Sequence, residues 1–404
     1  MHTPQSLSLT KNRWGLSQFC AVREAKWDCP LLQARSHSLA AFVGLCCLAA
    51  AISPAVAGPP LHYPTIGKIE RVNQALDKLI PKDAVIEVLA TGFEWCEGPL
   101  WMKDLSYLDA TNAPGQPNPP WIVKEGDTRR DKKPDGFLLF SDTRRNCVLR
   151  WQDREDVSIF MKPSGYTGVT PYSSEPGSNG LALDPQGRIT FCEHGDRRIS
   201  RLEKGGGKRT LVDNYQGKRL NSPNDLVFLK NGDLIFSDPP YGLPKRFDDP
   251  MRELDFCGVY RLKPDGTLTL LTKEQSAPNG VALSPDEKTL YVANSDEEKA
   301  VWMVYDILDD GSLSKGREFF DATPWAKEKR PGLPDGLKTD KTGHIFASGP
   351  GGIHIFTPAG KRIGTLNIGE GISNCNWGND GSVLYITADQ YLCRVQTSTK
   401  GRGW

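Results

Sequence analysis

Residues 221–242 read NSPNDLVFLKNGDLIFSDPPYG. A polar corner, Ser222-Pro223-Asn224-Asp225, leads into an apolar run, Leu226-Val227-Phe228-Leu229. Asn231-Gly232 tolerates positive φ at both positions and so signals a hairpin turn. Residues 233–237 return as a second strand, and Asp238-Pro239-Pro240 stops it, because proline cannot donate to a ladder. One such hairpin is ordinary, but the chain repeats it.

The copies run in order. Glu97-Gly98-Pro99 comes first, then Ser178-Asn179-Gly180, then the quoted stretch. Pro278-Asn279-Gly280, Pro334-Asp335-Gly336 and Ser373-Asn374-Cys375 follow. Each places an Asn, Asp or Glu just before a strand, with a turn and a second strand behind it. From Asn179 onward the spacing is roughly 40–55 residues, the period of four-stranded propeller blades. The expectation is an all-β, six-bladed β-propeller over residues 85–404, closed by an N-terminal strand within residues 84–91. Residues 58–84 form an extension, in which the apolar spacing of residues 69–79 predicts a short helix. Residues 112–135, rich in Pro, Gly and charge, read as a surface insertion in blade one. Residues 319–332 read as a loop entering blade five.

Composition agrees. The 404 residues include 40 Gly and 30 Pro, which suits a turn-rich β chain. A formal net charge of +1 argues against nucleic acid as a partner. Residues 39–51, LAAFVGLCCLAAA, are apolar, follow Lys and Arg, and precede Ala55-Val56-Ala57-Gly58. That pattern predicts a secretory leader over residues 1–57, too short for a membrane span, and a periplasmic or secreted product with no membrane partner after cleavage. Beyond the leader lie Cys96, Cys147, Cys192, Cys257, Cys375 and Cys393. Their spacing fits no zinc motif, and export leaves both disulfides and buried thiols open.

In a propeller the innermost strands line a central channel and start on one face. Glu97, Asn179, Asn224, Asn279, Asp335 and Asn374 would therefore form a ring around the axis. Asn-Gly and Asp-Gly are common turn dipeptides, and any one copy could be only that. The hairpin turns of this chain vary, however, while the site before the strand is an oxygen donor in every copy. Carboxylate and amide oxygens suit a hard cation, Ca²⁺ before Mg²⁺.

The motifs at Glu97-Gly98-Pro99, Ser222–Leu226, Phe236-Ser237-Asp238-Pro239-Pro240-Tyr241-Gly242, Pro278-Asn279-Gly280 and Pro334-Asp335-Gly336 resemble, in this order, the SMP-30/gluconolactonase/luciferin-regenerating family, and most nearly its bacterial gluconolactonases. The resemblance spans roughly residues 85–400. It implies a six-bladed propeller with Ca²⁺ in the channel, held by Glu97, Asn224, Asn279 and Asp335. It leaves Asn179 and Asn374 behind the metal or facing substrate, and puts Asp225 beside the substrate. Animal members carry an Arg two residues before the blade-three Asn. Ser222 stands there in this chain, so sugar contacts at that point do not carry over.

His194, at the end of a blade-two hairpin, either faces the channel and binds substrate or belongs to an outer loop. His344 and His354 read as packing residues. No Gly-x-Ser-x-Gly elbow occurs, which disfavours a serine esterase. The expected activity is hydrolysis of a small sugar lactone such as gluconolactone, a carboxylic-ester cleavage. The cation would act as Lewis acid, and Asp335, with Asp225 as the other candidate, would handle the proton. The rival readings are an organophosphate or aryl-ester hydrolase on the same site, and a non-catalytic sugar-binding propeller.

Overall fold

The computed structural model describes residues 62–105 and 136–404. The predicted leader with its predicted cleavage site and the predicted insertion at residues 112–135 lie outside the described residues.

Six antiparallel sheets follow one another along the chain as propeller blades. Given from the innermost strand outward, blade one is Cys96–Met102, Phe137–Asp142, Cys147–Trp151 and Ser158–Met161. Blade two is Ser178–Leu183, Ile189–Glu193, Arg198–Leu202 and Lys208–Val212. Blade three is Leu226–Phe228, Leu234–Asp238, Gly258–Leu262 and Leu268–Thr272. Blade four is Pro278–Leu283, Thr289–Asn294, Val301–Asp306 and Arg317–Asp321. Blade five is Leu337–Thr339, Ile345–Gly349, Gly352–Phe356 and Arg362–Asn367. Blade six is Ile372–Gly378, Val383–Ala388, Tyr391–Gln396 and, outermost, Glu87–Thr91 from the N-terminal side.

Glu87–Thr91 closes the ring by pairing with the third strand of blade six, Glu87 opposite Arg394 and Thr91 opposite Tyr391. The innermost strands touch each other in order around the axis, blade six returning to blade one. Each gap between adjacent blades holds its own apolar cluster. In the gap between blades six and one, Trp101 stacks on Tyr385 with ring centroids 5.5 Å apart. The second strand of every blade is buried along nearly its whole length, whereas the outer strands of blades one to four are largely exposed or half-buried. The core is therefore a wheel of interblade wedges around a polar hub.

Two local expectations change. The short helix predicted over residues 69–79 is a strand, Lys68–Arg71, followed by a 3-10 turn, Gln74–Lys78. The strand adds a fifth member to blade five, with Ile69 opposite Leu366. Pairing with an open sheet edge there outweighs the helical apolar spacing. Asn73 caps the 3-10 turn by accepting from the Ala75 N–H at 2.9 Å. Residues 319–332 are not all loop, since Arg317–Asp321 is the outer strand of blade four and Thr323–Lys327 a single helical turn. All six described cysteines are buried free thiols, which settles the question left open by sequence.

Candidate active site at the channel mouth

The six ring positions are not turns. They lie at the start of the innermost strands or, for Asn224 and Asp335, two residues ahead of them, and in blades one, two, four and six the register slips at or beside them. Such bulges re-aim a side chain, here into the channel. In blades one, two, four and five a glycine follows the ring residue, and it is set by a close approach. A Cβ on Gly98 would lie 2.3 Å from the Asn179 carbonyl oxygen, and one on Gly280 would lie 2.2 Å from the Asp335 carbonyl oxygen. Gly180 presses in the same way against the Asn224 carbonyl oxygen, and Gly336 against the Asn374 side chain. Each glycine thus makes room for the ring residue of the next blade. Serines of the second strands lock this arrangement, Ser141 Oγ donating to the Asn179 carbonyl at 2.9 Å and Ser237 Oγ to the Asn279 carbonyl at 2.5 Å.

Glu97, Asn179, Asn224, Asn279 and Asp335 line one cleft of about 480 Å³ at the mouth of the channel. The four side chains expected to hold a metal are therefore brought together with Asn179. Asn179 Oδ1, Asn279 Oδ1 and Asp335 Oδ1 are buried without a hydrogen-bond partner. Burial and the nearby Asp225 push the Glu97 carboxyl up to about 8. Burial, Glu97 and Asp225 push Asp335 well above the usual carboxylate range. Two crowded carboxylates and several unmatched oxygens leave the hub short of positive charge. Among the described residues no cluster of three or more His, Cys, Asp or Glu is arranged to hold an ion. A cation at this point would depend on carboxylates and amides together, the oxygen-only chemistry of Ca²⁺.

The walls of the cleft carry residues that the repeat does not mark. Trp95 and Tyr241 supply aromatic surface. The Arg144 guanidinium stacks over the Trp95 ring at 5.4 Å. Arg246 Nη2 donates to Glu175 Oε1 at 3.0 Å, joining the loops after blade one and within blade three. Apart from Tyr241, which lies in the Phe236–Gly242 motif, no motif announced these residues, because they sit on loops whose sequence is not part of the repeat.

His194 is fully buried and does not line the cleft. Its Nδ1 is 3.3 Å from the Glu175 carbonyl, its Nε2 has no partner, and Gly242 packs against its Cβ. Burial holds this imidazole down to about 4, so it is neutral near pH 7. It underpins the Glu175–Arg246 wall. His354, also buried, sits between Trp302 and Trp325 as a packing residue. Ser222 donates to the Pro239 carbonyl at 2.6 Å and accepts from the Gly242 N–H at 2.9 Å, a purely internal role.

Asp225 and Asn374 lie behind the cleft rather than on its wall. Asp225 Oδ2 accepts from the Val281 N–H at 3.2 Å and lies 3.6 Å from Lys338 Nζ. Lys338 Nζ donates to the Leu337 carbonyl at 3.0 Å and to Asn374 Oδ1 at 3.2 Å. Lys338 follows Asp335 by three residues on the same blade, and only strand register could have pointed to it.

Comparison with known proteins agrees with this fold. The family described as SMP-30/Gluconolactonase/LRE-like region matches residues 95–390. A gluconolactonase of Zymomonas mobilis is 40% identical over 350 residues, covering 83% of this chain and 88% of that protein. The structure of a gluconolactonase from Xanthomonas campestris superposes with a TM-score of 0.65 at 28% identity, over 84% of this chain and 99% of that one. A calcium-binding protein, regucalcin, from Agrobacterium tumefaciens shares the fold with a TM-score of 0.54 at 15% identity, over 78% of this chain and 94% of that one. The chain belongs to the SMP-30/gluconolactonase/LRE-like family.

Proposed function

We propose that this protein is a hydrolase that opens a sugar lactone such as gluconolactone to its hydroxy acid, and that it works with a divalent cation, Ca²⁺ first among the candidates. The observation that carries the reading is the set of buried, unpartnered oxygens of Asn179, Asn279 and Asp335 facing one cleft with Glu97. A buried polar atom left unpaired costs about 1–3 kcal/mol, which a bound cation would offset. The donors fit such an ion, and Glu97, Asn224, Asn279 and Asp335 would hold it, with Asn179 turned to substrate. When bound, the ion supplies Lewis acidity toward the lactone carbonyl and its developing oxyanion.

The rest falls to the chain. Trp95 and Tyr241 offer flat surface to a sugar ring, and Arg144 and Arg246 offer donors to its hydroxyls. Asp335 takes a proton from the attacking water as the oxygen–carbonyl carbon bond forms. It returns that proton to the ring oxygen as the acyl carbon–oxygen bond breaks. In the metal-free chain, burial and the neighbouring carboxylates raise its proton affinity. The neutral, enclosed His194 has no part in this transfer.

The test is a panel of sugar lactones, aryl esters and phosphotriesters, followed with and without a chelator. Opening of a sugar lactone above its spontaneous rate, lost on chelation, is expected. Turnover confined to esters or phosphotriesters would replace the lactonase reading. Export is proposed on Ala55-Val56-Ala57, and N-terminal sequencing of protein from its host should begin at Gly58. A full-length cytosolic product would refute it.

A further inference from the structure

Three carboxylates, Glu97, Asp225 and Asp335, lie within electrostatic reach of one another at the hub. Lys338 is the ammonium that meets one of them, Asp225. Its Nζ meets three kinds of oxygen: Asp225 Oδ2 at 3.6 Å, Asn374 Oδ1 at 3.2 Å and the Leu337 carbonyl at 3.0 Å. These are the surroundings of a bound cation, with the charge supplied by the chain itself. The Lys338 side chain is only 19% exposed.

We infer that Lys338 is a resident counter-ion of the channel, which neutralises Asp225, so that Glu97 and Asp335, once ionised, supply the two negative charges that match one divalent ion. Two consequences follow for neighbouring groups. Asp225, tied to Lys338 and to the Val281 N–H, is engaged behind the cleft and withheld from proton transfer and metal ligation. Asn374 is fixed in orientation. Its Oδ1 accepts from Lys338 Nζ and from the Cys375 N–H at 2.9 Å, which turns its Nδ2 toward Glu97 Oε2 at 3.5 Å. Lys338 is thus a positioning residue that acts through Asp225 and Asn374. The match to a divalent ion rests on the cation-dependent reading above, whereas the pairing with Asp225 stands without it.

The experiment compares Lys338→Met, Asp225→Asn and the double variant with the wild type. Two quantities are measured: the Ca²⁺ dissociation constant by calorimetry, and the urea midpoint of chelator-treated protein. Lys338→Met keeps the length and removes the charge, so Ca²⁺ should bind about tenfold more tightly as a like charge leaves its surroundings. The same variant should lower the midpoint of the metal-free protein, because Asp225 is left buried and unpaired. The double variant should return the affinity to within about twofold of wild type and recover most of the midpoint, the signature of a coupled pair. Lys338→Arg should keep the wild-type affinity. If Lys338→Met gives no soluble protein, Lys338→Gln serves in the same comparison. Wild-type affinity in the charge-removed variant, or a double variant no more stable than the single, would overturn the inference. If the wild type binds no Ca²⁺, the cation reading falls, and the midpoints alone decide the role of Lys338.

Discussion

The hub has two levels with opposite hydrogen-bond habits. On the cleft side, Asn179, Asn279 and Asp335 each keep a buried oxygen with no partner. Behind the cleft, Asp225, Asn374 and Lys338 satisfy one another and the backbone. In blade five the two habits occur three residues apart, at Asp335 on the cleft wall and Lys338 behind it. A chain that completes its polar contacts three residues away is able to complete them at the mouth. The unmatched oxygens are therefore held open for something that arrives from outside, and the paired group serves to hold them in place.

The contrast can be broken at several points. Chelation should have the largest effect, taking lactone opening down to the spontaneous rate, with recovery on added Ca²⁺ followed by acid release. Activity indifferent to chelation would mean that the open oxygens serve substrate alone. Next comes Asn279→Asp, which adds a charge where an unpartnered amide oxygen stood. It should tighten Ca²⁺ binding while lowering kcat several-fold, because a more neutralised ion polarises the carbonyl less. Unchanged affinity by calorimetry would remove Asn279 from the ligand set. Gly280→Ala should cost about 1–3 kcal/mol by urea unfolding, since its Cβ would meet the Asp335 carbonyl oxygen at 2.2 Å. A neutral outcome would show that the ring is not tightly packed there.

The smallest effect concerns pH. Burial holds the His194 and His354 imidazoles down to about 4, below the value of about 6.5 expected in the unfolded chain. A depressed folded value means that the stability contribution is present above about pH 6.5 and is lost as pH falls toward 4. His354→Gln should make the fall in urea stability across this window shallower by about one proton. An unaltered slope would contradict the burial argument.

Much of the fold was legible because the repeat is written in short-range chemistry. Asn231-Gly232 marks the blade-three turn, and the oxygen donor ahead of each inner strand marks the hub. The β-strand character of residues 84–91 anticipated the closing strand Glu87–Thr91, although its partner, Tyr391–Gln396, lies some three hundred residues away in sequence. The strand at Lys68–Arg71 was missed because its partner, Arg362–Asn367, is equally remote and local spacing favours a helix. The glycines after the ring residues looked like turn formers, yet their reason is contact with the next blade, which no single copy reveals. Trp95, Arg144, Glu175 and Arg246 were invisible because loops outside the repeat bring them to the cleft. Lys338 was missed for another reason. Its role depends on Asp225 and Asn374 from other blades, and a lone lysine in a strand has no signature of its own.

The account stands most directly on Asp335, the one residue asked both to hold a cation and to move a proton. Asp335→Asn keeps an oxygen donor and removes a charge and a proton acceptor. The deciding measurement is kcat for this variant across a Ca²⁺ titration, with spontaneous lactone hydrolysis subtracted. The account predicts that kcat stays low at saturating Ca²⁺, by roughly 10²–10⁴-fold, the loss expected for a general base. Full recovery by added Ca²⁺ would contradict it, leaving Asp335 as a ligand alone and moving the search for the base to Glu97.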